Sequence, residues 1–572
     1  MFDPWEHLGP KRRKLLEESW AGLFRENILP LLPVDQMTPF FDDEVGRHSK
    51  EMYTVLGTLI LQQMHDLSDA ATIQQLAFSD QWHYALDINS SSDKITYMCL
   101  KTLWKMRQIV TDNNLDTVLF NATTGSLANG FGVDTDKQRL DSMNIKSNMR
   151  RLGRIGIFTK TIHKFLVNLK RHHLELYEAI DKALVDKYFT DKSVKCFSQV
   201  RPSDSAKTLA MVSEDLFQLA QLFRDHPEVS NMTSYKLLLQ VQEDQCKVTV
   251  GPDGQPEQIA LKAPKEISSA SIQNPSDPDA GYDGHKGQGY QVQVMETYSD
   301  EEDEEIKSRT LNLITYVKVE PANESDANAI IPALESTQER NLGPEEVLAD
   351  SLYGSDNNCQ DAEEIGVEVI SPVMGVDPSG IKTLADFTYA EDQKMTACPN
   401  GYAPVKVKSK NKGYSAAFDS EHCLNCPFRD GCPVKQAKKY HYIHYDSKML
   451  RLAGRRALEQ TAEFKERYRY RSGVEATMSE YKTRTGVKRL RVRGLKAVRF
   501  CAILKAIGVN IFRATAVRKG RNRTSGASEG INIDCSAIFL IFKEHLTSVR
   551  GRFMKLFTPD SYFGLDELKL AA

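Results

Sequence analysis

The stretch "PEEVLADSLYGSDNN", residues 344–358, places a carboxylate at the end of an apolar strand. Val347 and Leu348 have the character of a short buried strand, and Asp350 follows them after a single alanine. The next residues, "GSDNN", are typical of a loop or of a helix start, so Asp356 belongs to a separate element. The stretch therefore predicts a strand that ends at Asp350.

Further strands and helices lie on both sides of this stretch in a definite order. "KQRLDSMNIKSN", residues 137–148, is strand-like and carries Asp141, and a long helical segment follows it. "GQGYQVQVME" alternates apolar and polar residues, "NLITYVKVE" is β-branched, and "DANAIIPALESTQER" has helical spacing. After Asp350 come a helix, the strand "GVEVISPVMG" and a later helix with Glu475. This order predicts an α/β fold with an RNase H-like core, in which a mixed sheet with flanking helices brings three distant carboxylates to one edge.

The same patterns divide the chain into a core with insertions. A chain of 572 residues, 41% hydrophobic and 26% charged, is expected to form about two to four domains or one domain with large insertions. The segment 248–287 is the most loop-like part of the middle of the chain. The expected segments are a helical N-terminal domain that is a candidate for DNA binding (1–125), the first part of the core (134–148), a helical insertion (149–250), the second part of the core (280–375), a Cys-rich insertion (395–440), the Glu475 helix with a basic segment (455–515) and a C-terminal tail without an assigned role (516–572).

Neither end of the chain suggests a membrane. The first residues, "MFDPWEHLGPKRRKLLEESW", mix acidic and basic side chains and lack the apolar segment of a secretory signal. The longest uninterrupted apolar run, "AIFLIF" at 537–542, is much shorter than a bilayer requires. We therefore expect a cytoplasmic protein with no membrane partner, associated with the nucleoid if it binds DNA.

Basic and acidic residues are almost equal in number, 74 against 77, but they are segregated along the chain. Tyr481 to Ser528 contains no Asp or Glu, whereas "SDEEDEE" at 299–305 predicts a solvated hairpin loop. A basic block favours a polyanion, and nucleic acid is the commonest one for a soluble protein, although a charged outer helix face has the same composition. The block begins with Lys482, Arg484, Lys488, Arg489, Arg491, Arg493, Lys496 and Arg499.

The stretch that leads into this block, "YRYRSGVEATMSEYK" at 468–482, predicts a helix with a polar stripe. At about 100° per residue, Tyr468, Arg471 and Lys482 all lie within about 40° of Glu475. The neighbouring carboxylates lie about 140° to 180° away, so Glu475 alone is placed among cations. A solvated helix with an Arg471–Glu475 pair at i,i+4 spacing is the alternative interpretation.

Four of the ten cysteines are clustered in one polar segment, as "ACPNGYAP" and "HCLNCPFRDGC". Disulfides are not expected in a cytoplasmic chain. The CxxC spacing of Cys423 and Cys426 is the usual half of a tetrahedral thiolate site, so we expect a structural Zn²⁺ bound by these two together with Cys398 and Cys432. His422 in place of one thiolate, a redox role, an iron–sulfur cluster and free thiols are the alternatives.

The spacing of Tyr468, Arg471, Glu475 and Lys482 is a Y-(2)-R-(3)-E-(6)-K signature, and it resembles that of the DDE transposases of bacterial insertion sequences. The N-terminal helices also resemble the helical N-terminal domain of many such transposases. The resemblance extends from about residue 40 to residue 513. Further matching segments are "RLDS" at 139–142, "DPDAGYDGHKGQGYQVQV" at 277–294, "LADSLYGSDNN" at 348–358 and "RTGVKRLRVRGLKAVRFCAILKAIGVNI" at 484–511.

The resemblance implies that Asp141, Asp350 and Glu475 are catalytic and bind two divalent ions, Mg²⁺ or Mn²⁺. Cleavage at the ends of a mobile element and strand transfer into target DNA would follow. The expected partner is double-stranded DNA, both the terminal inverted repeats and the target, with a homo-oligomer forming on it. The residues expected to contact DNA are Tyr468, Arg471, Lys482, Arg484, Lys488, Arg489, Arg491 and Arg493.

Each catalytic assignment has a rival in the sequence. Asp134 and Asp136 lie close to Asp141 but fall in the turn "GFGVDTD", and Asp356 competes with Asp350. The pair at 277 and 279 is a further candidate for metal contact, although it is better suited to shaping the turn before "HKGQGY".

Two other functions have the same sequence features. One is a catalytically inactive descendant that is retained for DNA binding, and the segment "DSMN" at 141–144 departs from the Ser- and Thr-rich version of the family. The other is a metal-dependent nuclease that hydrolyses DNA without joining it.

Overall fold

A computed structural model of the chain describes residues 5–40, 51–89, 92–189, 200–251, 256–375, 380–410 and 413–525. Met1–Arg518 form one compact unit and Lys519–Ala572 a second. Most of the tail expected at 516–572 therefore lies outside the described residues.

The described strands, numbered in chain order, form one large mixed sheet and three small antiparallel sheets. They are β1 (Lys137–Lys146), β2 (Cys246–Val250), β3 (Pro256–Leu261), β4 (Gly281–Asp283), β5 (Gly287–Thr297), β6 (Ile314–Pro321), β7 (Glu346–Leu348), β8 (Glu368–Ile370), β9 (Thr388–Tyr389), β10 (Met395–Ala397), β11 (Lys406–Lys410), β12 (Gly413–Asp419) and β13 (Tyr440–Tyr445).

The large sheet contains the segments that the sequence predicted as core strands. Its order is β4-β5-β1-β7-β8, and β6 also pairs with β5. β5 is antiparallel to β1, β4 and β6, whereas β1, β7 and β8 run parallel to one another. The expected mixed α/β architecture is confirmed by this sheet and its flanking helices.

Alternate residues of the sheet pack into two hydrophobic layers. Val292 and Val294 of β5 belong to a large cluster with the N-terminal helices, whereas Met295 packs with Leu140 of β1 against the helix Ile330–Gln338. Both faces of β5 are covered, so Tyr290–Thr297 are all buried. A sheet covered on both sides leaves its strand ends as the accessible places for polar chemistry.

The described helices flank this sheet or belong to the insertions. The α-helices are Pro10–Glu17, Trp20–Leu23, Met52–Met64, Asp69–Phe78, Asp80–Ala85, Asp93–Thr96, Leu100–Asp112, Leu115–Phe131, Arg154–His172, Leu174–Glu178, Lys182–Phe189, Ser205–Leu222, Thr233–Gln245, Glu304–Arg309, Ile330–Gln338, Asp356–Glu364, Ser420–Leu424, Ser447–Glu459, Ala462–Tyr468, Gly473–Thr485 and Leu495–Ser525. A π-helical turn covers Phe24–Ile28, and short 3-10 helices cover Leu29–Leu31, Val34–Gln36, Thr38–Phe40, Pro202–Asp204, Pro264–Glu266, Asp326–Asn328, Leu384–Asp386, Arg429–Gly431 and Arg469–Ser472.

The N-terminal helices share their hydrophobic cluster with the helix Leu495–Ser525 and one face of the sheet. Gly508 of that helix lies so close to Met64 that an added Cβ would be 2.9 Å from the Met64 Cα. The helix Leu115–Phe131 also continues past the boundary expected at residue 125. The N-terminal segment is therefore part of the same compact unit as the sheet.

The helix Leu495–Asn522 has the length and mean hydropathy, 1.6, of a membrane span. Its apolar window is 83% buried inside the protein, and a core helix meets the same criteria. The sequence-based search for an uninterrupted apolar run missed it because Lys505 lies in the middle. That lysine is buried and binds Asp66, with 2.8 Å between Nζ and the carboxylate.

The insertions differ in detail from the sequence-based expectations. The helices between residues 154 and 245 form a hydrophobic cluster of their own. The segment expected to be most loop-like instead contains the hairpin of β2 and β3. The acidic run expected to be a hairpin loop leads into the helix Glu304–Arg309, because the Asp303 side chain caps its first turn. The Cys-rich insertion contains the three-stranded sheet β11-β12-β13.

Candidate active site

Strand register places Asp141 and Asp350 side by side. β1 and β7 are parallel, with Arg139 opposite Leu348, so Asp141 and Asp350 each lie two residues beyond this last pair. The Asp350 carboxylate accepts a hydrogen bond of 2.8 Å from the Leu352 amide, which fixes it at the start of the turn after β7. Adjacent parallel strands present such side chains at a common edge.

The Arg471 guanidinium lies among all three predicted catalytic carboxylates. Its Nη2 is 2.9 Å from Asp141 Oδ2 and 4.0 Å from Asp350 Oδ2, and its Nη1 is 3.7 Å from Glu475 Oε1. The side chains of Asp141 and Asp350 are 16% and 33% exposed, whereas that of Glu475 is 73% exposed. The site therefore has two partly buried carboxylates on the sheet and a third on the surface of a helix.

Burial raises the pKa of the Asp141 carboxyl above its ordinary value. The neighbouring Arg471 opposes this effect, whereas the Asp350 and Asp326 carboxylates add to it. The excess of negative charge at this edge of the sheet favours a cation.

The helix that carries Glu475 is attached to the sheet by a buried carboxylate, Glu296 of β5. Glu296 is fully buried and accepts a hydrogen bond of 2.6 Å from the Thr477 hydroxyl on the Glu475 helix. It also pairs with Arg139 of β1 at 2.7 Å and with Arg513 of the long helix at 2.8 Å. Sequence reasoning missed this group, because a Glu in an alternating strand is ordinarily read as solvent-facing.

The start of the Glu475 helix fits closely over Arg139. The Arg139 Nη1 donates a hydrogen bond of 2.7 Å to the Tyr470 carbonyl. A Cβ at Gly473 would be 2.1 Å from the same nitrogen, so this position requires a glycine unless the guanidinium moves. Arg139, which sequence reasoning did not single out, therefore determines the height of Glu475 above the sheet.

The sequence predicted one continuous helix over 468–482, but the structure shows an interruption in this segment. The helix Ala462–Tyr468 ends in a 3-10 turn at Arg469–Ser472, and the helix Gly473–Thr485 follows. A 3-10 turn rotates by about 120° per residue, so the simple angular arithmetic does not hold across it. Arg471 nevertheless contacts Glu475, because the two remain one turn apart.

The other members of the predicted signature lie at different distances from this centre. Tyr468 is half-buried and stacks on Phe464 with 5.5 Å between ring centroids. Burial raises the pKa of the Tyr468 hydroxyl, and the charges of Asp350 and Asp141 add to this, which places the ring beside the carboxylates. Lys482 is exposed in the last turn of the Glu475 helix.

The predicted basic segment forms a loop between two helices, at residues 486–494. Val487 and Leu490 are buried, whereas Arg489, Arg491 and Arg493 are exposed. The loop is anchored to β1, because the Lys488 carbonyl accepts a hydrogen bond of 3.0 Å from the Lys146 amide. Its exposed cations therefore project from a fixed backbone beside the sheet.

Besides Arg471, two more of the cations expected to contact DNA are paired within the protein. Arg484 binds Glu480 at 2.8 Å, and Arg491 binds Asp66 at 3.1 Å. Asp66 is a residue of the N-terminal segment, so part of the basic charge is neutralised by the layer that packs behind it. Exposed pairs of this kind contribute little free energy, so a phosphate can replace the carboxylate.

The structure also places the rival carboxylates. Asp356 binds Arg451 through both oxygens, at 3.0 and 2.7 Å, and begins a helix. Asp134 caps a turn by accepting from the Asp136 amide at 3.0 Å. Asp277 and Asp279 accept from the amides at the start of the long helix, at 2.9 Å each. Each of these groups has a structural partner in the described part of the chain.

A further buried carboxylate, Asp326, lies beside the site and was not foreseen. It is paired with Lys286 at 3.0 Å and accepts from the Gln293 amide at 2.9 Å. Gln293 in turn accepts from the Tyr353 hydroxyl at 2.6 Å. Gln293 is paired with Ser142 of β1, the residue after Asp141, so this chain of hydrogen bonds lies next to the site.

The four clustered cysteines line one small cavity of about 50 Å³. Burial raises the pKa of Cys423 to about 11, and the charges of the other three thiols add to it. His422 lines the same cavity but stacks on Tyr402, with 4.2 Å between ring centroids.

Among the residues that the structure describes, no three His, Cys, Asp or Glu side chains are grouped closely enough to hold a metal ion as they stand. At the carboxylates the reason is visible, because the Arg471 guanidinium occupies the position between them. The chemistry of both donor sets fits a cation: carboxylate oxygens suit Mg²⁺ or Mn²⁺, and four thiols suit Zn²⁺.

Residues 397–515 match a family model described as a transposase DDE domain. The match supports a DDE transposase. It includes Glu475, Arg471, the four clustered cysteines and the basic loop, but it covers only about a fifth of the chain. Asp141 and Asp350 lie outside the match, so their link to Glu475 depends on the geometry described above. A search of curated proteins found no match to this chain.

Proposed function

We propose that this transposase cleaves DNA at the ends of its own mobile element and joins the released 3′ ends to target DNA. One observation carries the proposal: Asp141, Asp350 and Glu475, which are far apart in sequence, all lie around the guanidinium of Arg471. Two partly buried carboxylates at one sheet edge with a third facing them are costly for folding, because the three repel one another and the buried pair loses hydration.

The order of the large sheet supports an RNase H-like core. The central strand β1 has an antiparallel neighbour, β5, on one side and the parallel strands β7 and β8 on the other. In such a core the first carboxylate lies on the central strand and the second follows the adjacent parallel strand. Asp141 on β1 and Asp350 after β7 occupy these two positions.

Asp141, Asp350 and Glu475 would hold two divalent ions, Mg²⁺ or Mn²⁺. Such ions would lower the pKa of the attacking hydroxyl and stabilise the leaving oxygen. The protein's own residues would position the DNA. Arg471 has the fork of donors that matches a phosphate, and Lys482 provides a point charge further along the same helix. Arg489 and Arg493 of the exposed loop would extend the contact along the backbone, together with Lys488, Arg484 and Arg491.

The Cys-rich insertion would be stabilised by a structural Zn²⁺ at Cys398, Cys423, Cys426 and Cys432. The hydrophobic cluster around this insertion is small, with seven buried residues among those described: Leu384, Phe387, Met395, Ala416, Phe418, Ile443 and Tyr445. A cluster of this size is a weak core, and thiolate–zinc bonds would add the missing stability.

Two element ends must be joined to one target, so we expect the protein to form a homo-oligomer on double-stranded DNA. The basic loop, which contacts the N-terminal segment through the Arg491–Asp66 pair, would form part of the DNA-binding surface. We expect the protein to work in the cytoplasm, at the nucleoid, without a membrane partner.

The test uses purified protein with labelled duplexes that carry the inverted repeats flanking its gene. Nicking and strand transfer that require Mg²⁺ or Mn²⁺, and that disappear in Glu475→Gln, are the expected results. Nicked ends that are never joined would instead favour the nuclease. DNA binding without cleavage by the wild-type protein would favour the inactive descendant.

A further inference from the structure

Arg471 has two incompatible tasks in the proposed function. In this structure its guanidinium lies among Asp141, Asp350 and Glu475. These carboxylates cannot ligate divalent ions while a cation of the protein occupies the space between them. The metal-free site therefore contains its own counter-ion.

The contacts of Arg471 show that it is held only loosely. Only one of its three carboxylate contacts, to Asp141 at 2.9 Å, has the length of a good hydrogen bond. The others, at 3.7 and 4.0 Å, are longer than a hydrogen bond. Its Nε is buried and has no hydrogen-bond partner among the described residues. A buried N–H without a partner is costly, so this arrangement is less stable than one that satisfies the whole fork.

A DNA phosphate would provide hydrogen-bond acceptors for the guanidinium nitrogens of Arg471. Arg471 lies in the 3-10 turn Arg469–Ser472, between two helices, and its side chain is 20% exposed. A phosphate can accept from two guanidinium nitrogens at once. A small rotation of the side chain toward solvent would therefore exchange one anion for another while the backbone stays in place.

We infer that Arg471 is a positioning residue that couples metal binding to DNA binding. Without DNA it occupies the carboxylate site and competes with the metal ions. When it moves to a phosphate of the element end, it vacates the site, so the metal ions bind more tightly. By thermodynamic linkage, bound metal must strengthen DNA binding by the same factor. The consequence is a site that binds its metal ions more tightly on element-end DNA than without it. This inference rests on the proposed function.

The first experiment measures Mn²⁺ binding to the DNA-free protein, by the electron paramagnetic resonance signal of free Mn²⁺. We expect Arg471→Gln to bind Mn²⁺ about tenfold more tightly than the wild type, which is the effect of losing one competing charge-assisted hydrogen bond. Arg469→Gln is the matched control. Arg469 lies in the same 3-10 turn but pairs with Glu302 and Glu466, so we expect no change.

The second experiment measures the affinity for element-end DNA with and without Ca²⁺, which supports binding but not cleavage. In the wild type, we expect Ca²⁺ to strengthen DNA binding, and we expect this enhancement to be at least about fivefold smaller in Arg471→Gln. A direct metal–phosphate contact would account for the enhancement that remains.

The outcomes separate this inference from the proposed function. Weaker Mn²⁺ binding by Arg471→Gln would mean that Arg471 merely supports the carboxylates. An undiminished Ca²⁺ enhancement of DNA binding in Arg471→Gln would mean that Arg471 does not couple the two sites. Either result would overturn this inference but not the proposed function. If neither the wild type nor Arg471→Gln shows Mn²⁺ binding that Asp141→Asn removes, the metal site itself is refuted and the proposed function fails with it.

Discussion

Replacing Glu296 with glutamine keeps the size of the side chain but removes the charge that attaches the Glu475 helix to the sheet. Glu296 is fully buried and pairs with Arg139 at 2.7 Å and Arg513 at 2.8 Å. Removing one partner of a buried ion pair costs about 3–5 kcal/mol, because the remaining charge is left uncompensated. Arg513 keeps a second partner, Glu480, at 2.8 Å, so we expect a loss of about 3 kcal/mol, at the lower end of this range.

The assay is amide hydrogen exchange over the helix Gly473–Thr485, compared with exchange in β12, which lies in a separate cluster. A local loss of about 3 kcal/mol raises exchange through local opening about a hundredfold. We expect faster exchange in this helix, unchanged exchange in β12 and a loss of DNA nicking.

The matched control for this change is Glu302→Gln. Glu302 also pairs with an arginine, Arg469 at 2.7 Å, but its side chain is 78% exposed, so we expect no measurable change. Wild-type exchange over Gly473–Thr485 in Glu296→Gln would refute the reasoning.

Three further changes test other parts of the account. Burial lowers the pKa of His65 to about 4, so the folded protein should lose about 2 kcal/mol of stability as the pH falls from 8 to 5. His65→Phe should lack this contribution and show only the pH dependence of the other titrating groups. Urea unfolding at each pH measures both. Gly508→Ala places a Cβ against the Met64 backbone and should cost about 1–3 kcal/mol in the same assay, whereas Gly454→Ala, with nothing within 4 Å, should be neutral or stabilising. Purified protein should contain about one zinc ion per chain, and Cys423→Ser should lose it, as measured by elemental analysis; equal zinc in both would contradict the thiolate site.

The strands of the large sheet were predictable because their patterns are local. The alternation in β5, the β-branched run in β6, the apolar Leu140 and Ile145 in β1 and the apolar end of β7 all reflect burial on the pleated sheet. Helix caps were equally local: Ser68 and Ser79 each accept a hydrogen bond from the first turn of the following helix. Asp141 and Asp350 could be placed on or after strands from these patterns, whereas their grouping with Glu475 as a catalytic set was implied by the resemblance to the DDE transposases.

The parts that could not be predicted depend on tertiary contacts. The burial of Glu296 requires two arginines from distant positions, 139 and 513, and no local sequence pattern predicts these pairs. The 3-10 turn at Arg469–Ser472 is associated with the close contact between Arg139 and Gly473, and no helix-breaking residue in the local sequence predicts it. The pairing of Arg491 with Asp66 likewise joins segments that sequence reasoning assigned to separate domains.

The most direct test of the central claim exchanges the hard carboxylate ligands for soft thiolates. Asp141→Cys and Glu475→Cys should not cleave element-end DNA in Mg²⁺, which requires oxygen ligands, and should regain part of the activity in Mn²⁺, which tolerates sulfur better. Asp134→Cys, from the turn before β1, should be as active as the wild type in Mg²⁺. Wild-type cleavage rates in Mg²⁺ for Asp141→Cys and Glu475→Cys would contradict the account, because no carboxylate would then be needed at either position.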